Sequence, residues 1–541
     1  MKKRTKVLCV LLVISVILGN ISLFAFAAEN SKSYYYIDSV NGNDSNNGTD
    51  VNSPVKTING LGNVNIKPGT HFLFKNGGEY ECTATLTCNG TAENPVVVSS
   101  YGEGEKAVLY TNEKTEVLRL FDCSYVSVKD LHIKARNGGG IWIDTRNQTS
   151  EGIVIDNVYF TDMQNYKVHS RDDNSNGAAP ARAAVMVKGL PAKSRYAVNN
   201  LTISNCEVYN CANGFMIWGS WNDEQKPWCE TEAEIDPVYN EGLLIEGCYF
   251  HEMDAEAVIV GMCDGALVTN CRAINCCQGE GVDENGEIEY FTAAMWFWGS
   301  ENSIIQHCEI AGQKNVGDGM AVDFDSHTNN CTYQYIYSHD NVRFMCNNPN
   351  YSGQHGNTVR YCLSVNDNEG RSTTAVGSCG EHNFKFYNNT IVNCGEFQFK
   401  NLYNAYIANN IITLADGATF AYDIDLTRGN RFESNCYYGA LSPLVDLFSK
   451  NINPGFAGND YSDKHSFVLS EKSPLIGAGV KVDDDLSKDI FGNEIVSCNM
   501  GCYGGIGIDA EYAYEDKNSL IIRGVLDLLE TLLHEIYVIF D

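Results

Sequence analysis

Leu201-Thr-Ile-Ser-Asn-Cys206 returns along the chain in degenerate copies, among them Leu243-Leu-Ile-Glu-Gly-Cys248, Ala266-Leu-Val-Thr-Asn-Cys271, Ser303-Ile-Ile-Gln-His-Cys308 and Thr358-Val-Arg-Tyr-Cys362. Each copy, of roughly two dozen residues, holds a short strand, a turn and a second apolar strand. Short strands at such a period, without helical spacing, are typical of a solenoid in which each coil buries its apolar face by stacking on the next. The repeat runs from about Tyr125 to Tyr438 and predicts an all-β fold.

Cysteine recurs at one position of this repeat, and Asn389 and Asn410 take that position in later copies. A residue that returns at the same place in every coil forms a stack inside the solenoid, where free cysteine acts as a small apolar filler. We therefore expect most of the 21 cysteines to be unpaired thiols. Neighbouring coils lie about 4.8 Å apart, so a few adjacent pairs have the spacing to oxidise.

The N-terminus has the three parts of a secretory signal: the basic run Lys2–Lys6, an apolar run from Val7 to Phe24, and small residues at Ala25–Ala27. Residues 1–27 are predicted to be a signal peptide, which makes the mature protein secreted and extracellular. A retained membrane anchor is the alternative, which the cleavage site that follows at once disfavours.

The chain is strongly acidic, with a formal charge of −30 that becomes −34 without the signal, from 34 basic and 68 acidic residues. Such a charge repels nucleic acid and anionic lipid, which excludes both as simple partners. A neutral polysaccharide or oligosaccharide is the easier substrate. After signal removal no membrane association is expected.

The chain is predicted to form an N-terminal cap and first coils over 28–124, β-helix repeats over 125–440 and closing coils over 441–509. Insertions at Asn222–Asn240 and Gly279–Tyr290 interrupt the repeat. Long connections of this kind commonly form the sides of binding clefts.

The last segment, 510–541, is predicted to be a C-terminal amphipathic helix, because its apolar residues switch to helical spacing. One broad face of this helix would carry Leu520, Val525, Leu528, Leu529, Leu532, Leu533 and Ile536. We expect the helix to pack on the solenoid, with docking to a partner as the minority alternative.

Several segments match a known family of β-solenoids: Tyr36-Ile-Asp-Ser-Val-Asn-Gly-Asn-Asp44, Asp318-Gly-Met-Ala-Val-Asp-Phe-Asp325, Tyr335-Ile-Tyr-Ser-His-Asp-Asn341, and the Ile-x-x-Cys and Tyr-x-Asn-Asn coils. Over nearly the whole mature sequence, the chain resembles the right-handed parallel β-helix proteins of the pectate-lyase-like superfamily. The resemblance implies a secreted glycoside hydrolase, a polysaccharide lyase or a glycan-binding adhesin, because one fold carries several chemistries.

A candidate catalytic pair follows from the period of two within a strand. In Met320-Ala-Val-Asp-Phe-Asp325 the apolar residues Met320, Val322 and Phe324 are expected to point inward, which leaves Asp323 and Asp325 outward together. Glycoside cleavage needs two such carboxyl groups, one as acid and one as nucleophile or base. Two acids held close on one rigid face repel each other's ionisation, so that one keeps its proton to higher pH.

An aromatic platform is predicted beside this pair. Aligning the preceding coil by its apolar residues puts Trp296 and Trp298 next to the aspartates, and Trp218 in an earlier coil extends the same columns. Indole faces suit pyranose rings, with stacking worth about 1 kcal/mol per ring by analogy with other aromatic contacts. Outward aspartates on an acidic protein are often only a solvated surface, so the tryptophans carry much of this prediction.

Asp318 is an alternative member of the pair. Some β-helix glycosidases, including a family active on lacto-N-biose-type oligosaccharides, use two aspartates close together in sequence, and Asp318 with Asp325 looks similar. Glu301, Asp340 and Glu369 are reserve carboxylates in turns of nearby coils.

Two other chemistries stay open. A lyase would use a Lys or Arg base, often with calcium, and Arg343, Arg371 and Lys400 lie in coils after the aspartates. In the hydrolase interpretation Arg343 and Arg371 are substrate-binding residues, no cofactor is required and no metal site is predicted, although calcium at Asp323 and Asp325 is compatible with a lyase or an adhesin. A non-catalytic adhesin would show a repeated aromatic ladder without a local carboxylate pair.

Overall fold

The computed structural model describes residues 32–163, 183–188, 195–220, 237–279, 292–314, 317, 319–346, 354–368, 374–376, 380–423, 425–439, 446, 448–483 and 486–509. The predicted signal peptide and C-terminal helix lie outside these residues, as do most of both predicted insertions and Asp318, Glu369 and Arg371. The described part is built almost entirely of short strands.

Three long parallel sheets contain nearly all of the described strands. Sheet 1 comprises Ser33–Ile37, Thr70–Lys75, Val96–Tyr101, Val126–Lys129, Val154–Asp156, Thr202–Ser204, Leu244–Glu246, Leu267–Thr269, Ile304–Gln306, Thr332–Gln334, Thr358–Arg360, Lys385–Tyr387, Tyr406–Ala408 and Arg431–Glu433. Sheet 2 comprises Glu79–Glu81, Ala107–Thr111, Leu131–Ala135, Tyr159–Thr161, Glu207–Tyr209, Tyr249–His251, Arg272–Ile274, Glu309–Ala311, Tyr337–His339, Leu363–Val365, Thr390–Cys394, Ile411–Leu414 and Cys436–Tyr438.

Sheet 3 is the face that carries the predicted site. It comprises Ala84–Leu86, Leu118–Phe121, Ile141–Asp144, Ala183–Val187, Asn213–Trp218, Val258–Gly261, Ala293–Trp298, Met320–Phe324, Arg343–Cys346, Thr374–Val376, Phe397–Lys400 and Phe420–Asp423. In the described residues, two-stranded pairings join Ser150–Glu151 to Val198–Asn199, Asn240–Glu241 to Cys263–Asp264 and Glu381–His382 to Leu402–Tyr403, and 3-10 helices span Ile58–Leu61, Leu426–Arg428 and Lys464–Phe467. None of the described helices is long and apolar enough to cross a membrane.

The chain visits the three sheets in turn, and each strand pairs in parallel with its counterpart one coil later. This is the architecture of a parallel β-helix, which confirms the fold that the repeat and the resemblance predict. Crossover connections between parallel strands are right-handed in nearly all proteins. The sheets extend from Ser33 to Tyr438, so the predicted first coils already belong to them.

The predicted interior stack of cysteines is present. Cys206, Cys248, Cys271 and Cys308 are buried in successive coils, and all 18 cysteines of the described residues are free thiols. The residue before each of these cysteines has a positive φ, as at Asn205. Asparagine tolerates this left-handed conformation better than most residues, which explains the recurring Asn-Cys pair.

Asparagine replaces cysteine in the last coils and builds a hydrogen-bonded ladder. Asn389 Nδ2 donates to Asn410 Oδ1 at 3.1 Å, Asn410 Nδ2 donates to Asn435 Oδ1 at 2.9 Å, and Asn435 Nδ2 donates to Asp446 Oδ2 at 2.7 Å. Each buried amide is thereby satisfied by the next coil, as burial of a polar group requires.

The irregular segment 448–509 folds back over the last coils. Phe467, Leu475 and Tyr503 pack on apolar side chains of sheet 2, including Leu363 and Ile411. The same segment packs on the outer face of sheet 1, where it covers Tyr335, Tyr361, Tyr387 and Tyr406. In the described residues, the apolar clusters on the outer face of sheet 3 contain no residue of segment 448–509. The predicted site lies on this face.

Candidate functional site

The strand Met320–Phe324 lies in sheet 3 between Ala293–Trp298 and Arg343–Cys346. Asp323 is in register with Trp296, and Phe324 with Phe297, as the sequence alignment of the coils predicts. The backbone N–H of Asp325 donates to the carbonyl of Phe297 at 3.0 Å, which continues the pairing past the strand. The predicted register of Asp323 with Trp296 is confirmed.

The interior side of these strands is mostly as predicted. Val322, Phe324, Met295 and Phe297 all belong to the interior core. The prediction for Met320 is wrong, because its side chain lies on the outer face and packs with Ala293 and Cys346.

The cause of this difference is a break in the side-chain alternation. Ala321 and Val322 are both interior, as are the matching Ala294 and Met295 of the preceding coil. Strict alternation in the sequence therefore assigns the wrong face to residues before this break.

The exposed indole platform is a second correction. Trp298 and Trp218 have 0% and 2% of their surface exposed, and they pack edge to face with ring centroids 5.9 Å apart. Met216 on the strand of Trp218 and Ile259 on the strand between the two indoles join them in an apolar cluster on the outer face. These two indoles are consequently packing residues, because neither ring face is open to a sugar.

Trp296 differs from the other two tryptophans. It is half-buried, and it packs at the edge of the same cluster with its ring centroid 6.3 Å from that of Trp218. Its indole nitrogen points into the protein, where it has no hydrogen-bond partner in the described part of the chain. The open surface that remains beside Asp323 therefore belongs to the carbon part of the ring.

The two aspartates occupy different environments. Asp323 is buried, with 8% of its surface exposed, whereas Asp325 is half-buried. Asp325 Oδ1 accepts hydrogen bonds from Ser326 N at 2.6 Å and from Ser326 Oγ at 3.2 Å. The two carboxyl groups therefore differ in exposure, and Asp325 is bonded to the residue that follows it.

Arg343 lies in register with Met320 of the preceding coil, whose side chain is on the outer face. It is half-buried, and its Nη2 donates to the carbonyl of Gly317 at 3.4 Å. Arg343 is thus placed next to the chain segment that leads into Asp318. Lys400 is three coils away in sheet 3 and does not reach this strand.

Two residues beside the cluster of Trp218 and Trp298 were not predicted as site residues. The hydroxyl of Tyr239 donates to Glu301 Oε1 at 3.1 Å, and burial together with that carboxylate raises the pKa of Tyr239. The ring of His327 lies 6.1 Å from Trp298 in an edge-to-face contact, and burial lowers the pKa of His327, which favours its neutral form. The sequence could have pointed to His327, because it lies two residues after Asp325. Tyr239 lies near the end of the predicted insertion Asn222–Asn240, where the repeat gives no register.

In the part of the chain that the structure describes, no group of three or more His, Cys, Asp or Glu side chains is arranged to hold a metal ion. Calcium at Asp323 and Asp325 stays a prediction.

No family model matches the sequence. A lacto-N-biosidase of Bifidobacterium longum subsp. longum is 22% identical over 446 aligned positions, covering 66% of this chain and 27% of the relative. The chain thus spans about a quarter of the length of the curated relative that it matches.

Solved structures with similar chain traces include a GH136 lacto-N-biosidase from Eubacterium ramulus, with a TM-score of 0.45 and 16% identity over 77% of this chain and 66% of that one. The pectate lyase Pel9A has a TM-score of 0.40 and 14% identity over 88% of this chain and 97% of that one. The β-helix assignment rests on the strand pairing of this chain itself.

Proposed function

We propose that this protein is a secreted glycoside hydrolase that cleaves its glycan at the outer face of sheet 3. The observation that carries the proposal is the pair Asp323 and Asp325, two residues apart at the end of one rigid strand, with Asp323 in register with Trp296. The named activity of the bacterial relative supports a glycan as the substrate. The proposed location outside the cell rests on the N-terminal signal pattern.

Asp323 and Asp325 divide the work of acid and nucleophile or base. The more buried Asp323 suits the acid that donates a proton to the leaving oxygen, because burial favours the neutral carboxyl group. Asp325, with two donors from Ser326, suits the carboxylate that attacks the sugar or activates water. Asp318 is the alternative partner of Asp325, and Arg343 holds the carbonyl of the neighbouring Gly317.

Trp296 supplies the contact with the sugar ring. Of the three predicted indoles, it is the one that keeps open ring surface. Arg343 is proposed to bind substrate hydroxyl groups near the pair, and the same role for Arg371 is proposed from the sequence alone. Trp218 and Trp298 pack against each other on the same face, and we expect them to keep the strands rigid.

Oligosaccharides that end in lacto-N-biose are the first substrates to test, because the curated relative is named for that activity. No cofactor is required for the proposed hydrolysis. Longer polysaccharides are the second class of substrate to test at the same outer face.

A polysaccharide lyase is the second candidate. It is favoured by the half-buried Arg343 in the coil that follows the two carboxylates, since a lyase needs a basic side chain at the uronate ring. Calcium would then neutralise the uronate carboxylate beside Asp323 and Asp325. The protein's large negative charge opposes binding of a polyanion, which places this candidate second.

The test is product analysis on neutral and uronate-containing glycans, following new reducing ends and the absorbance of unsaturated uronates. We expect reducing ends without unsaturation from the wild type and none from Asp325→Asn. Asp416→Asn is the matched control, because Asp416 is an exposed aspartate far along the same solenoid. Unsaturated products would assign the lyase, and binding without cleavage would assign an adhesin.

A further inference from the structure

Two interior side chains hydrogen-bond to the backbone of the strand end that carries Asp323 and Asp325. The hydroxyl of Tyr333 donates to the carbonyl oxygen of Asp323 at 2.5 Å, with a longer contact of 3.4 Å to the carbonyl of Met295. Gln354 Nε2 donates to the carbonyl oxygen of Phe324 at 3.2 Å. Two consecutive peptide groups beneath the candidate site are therefore held from inside the coil.

Tyr333 is itself firmly placed. It is fully buried, and its ring lies 4.5 Å from that of Phe324 and 5.1 Å from that of Phe297. Burial raises the pKa of Tyr333 well above its ordinary value, so the hydroxyl keeps its proton and remains a donor. Gln354 is also fully buried.

These bonds reach the strand from its interior side, next to its pairing with the following coil. Asp323 is in register with Cys346 of the strand Arg343–Cys346. The carbonyl of the next residue, Phe324, accepts a side-chain donor. A side chain fixed by its own packing can hold a peptide group within the roughly half an ångström that catalytic geometry needs.

We infer that Tyr333 and Gln354 are positioning residues that set the direction of the two carboxylates from the opposite side of the strand. The inference rests on the proposed function for its catalytic consequence. Its structural content, that the strand end moves when these donors are removed, stands independently. A small shift of a catalytic group costs rate more than affinity, because the reacting atoms must be aligned.

Tyr333→Phe tests this most cleanly, since it removes one oxygen and keeps the ring packing. Tyr437→Phe is the matched control, because Tyr437 is an equally buried interior tyrosine whose hydroxyl donates to Asp446 Oδ2 at 3.3 Å, away from the site. We expect kcat to fall roughly ten-fold to a hundred-fold in Tyr333→Phe with little change in KM, while Tyr437→Phe keeps the wild-type kcat. Gln354→Met should shift kcat in the same direction.

The outcomes separate the inference from the proposed function. If Asp325→Asn is inactive but Tyr333→Phe keeps the wild-type kcat, the positioning role is wrong and the hydrolase proposal stands. If no glycan is cleaved by any variant, crystal structures of Tyr333→Phe and Tyr437→Phe decide the structural part. A displaced Asp323–Asp325 backbone in Tyr333→Phe alone would support the inference, and an unmoved strand end would overturn it.

Discussion

Trp296 and Asp323 occupy matching positions on adjacent strands of sheet 3, and both side chains lie on the outer face of the solenoid. In a parallel sheet such neighbours are about 4.8 Å apart along the solenoid axis, close enough for one sugar ring to touch both. Because three sheets of stacked coils support this face, the two side chains are held by the fold and not by a loop. The register therefore places the proposed sugar-stacking residue next to one of the two proposed catalytic aspartates.

Replacing Trp296 and Trp298 separately distinguishes a binding residue from a packing residue. Trp296→Ala should raise KM several-fold with a small loss of stability, because its ring is partly open. Trp298→Ala should lower the free energy of unfolding by about 3–5 kcal/mol, since it removes a fully buried large side chain. Denaturant unfolding and Michaelis kinetics on both variants measure this, and equal stability losses would contradict the assignment.

The thiols of the interior cysteine stack should not react with an alkylating agent in the folded protein. Burial raises the pKa of the Cys308 thiol well above its ordinary value and that of Cys362 to about 12, and a protonated buried thiol reacts slowly. Alkylation followed by peptide mapping should label Cys498, the exposed member of the described set, and label the buried Cys308 and Cys362 only after unfolding. Recovery of a Cys248–Cys271 disulfide without added oxidant would contradict the free-thiol stack.

The ion pair of Glu309 predicts a pH-dependent contribution to stability. Glu309 Oε2 accepts from Arg272 Nε at 2.7 Å and Oε1 lies 3.4 Å from His339 Nε2. The hydrogen bond from His339, followed by the bond and charge of Arg272, lowers the pKa of Glu309 to about 2. Burial opposes protonation of His339, but its hydrogen bonds to the carboxylates of Glu309 and Asp340 outweigh burial and raise the pKa of His339.

The sign of the effect follows from these shifts. Ionised Glu309 stabilises the fold above its unfolded pKa of 4.5, and this is lost as the pH falls towards 2. Protonated His339 stabilises below 6.5, and this is lost as the pH rises through its raised pKa. The destabilisation by Glu309→Gln should therefore be largest between pH 4.5 and 6.5 in chemical unfolding. A pH-independent difference between the two proteins would refute this account.

The interior of the solenoid was predictable because it repeats. The period places Cys206 and Cys248 in one stack and Val322 with Phe324 inside the coil, and the structure agrees. The same alignment correctly pairs Trp296 with Asp323. Repetition multiplies weak signals, so that each coil supports the register of its neighbours.

The outer face was less predictable, because its burial depends on what packs there. Alternation places Trp298 on the outer face but cannot show that Met216 and Ile259 leave no open ring surface. The error at Met320 has another cause, since two consecutive interior residues, at 321 and 322, break the period of two. The hydroxyl bond of Tyr333 crosses from sheet 1 to sheet 3, a relationship that no local pattern contains.

The central claim is that Asp325 takes part in cleaving a glycosidic bond on the face shared with Trp296. The most direct measurement compares wild type, Asp325→Asn and Asp416→Asn on lacto-N-biose-terminated oligosaccharides and a uronate glycan. We expect new reducing ends without unsaturated product for wild type and Asp416→Asn, and none for Asp325→Asn. Full activity in Asp325→Asn, or unsaturated uronates from the wild type, would contradict the claim.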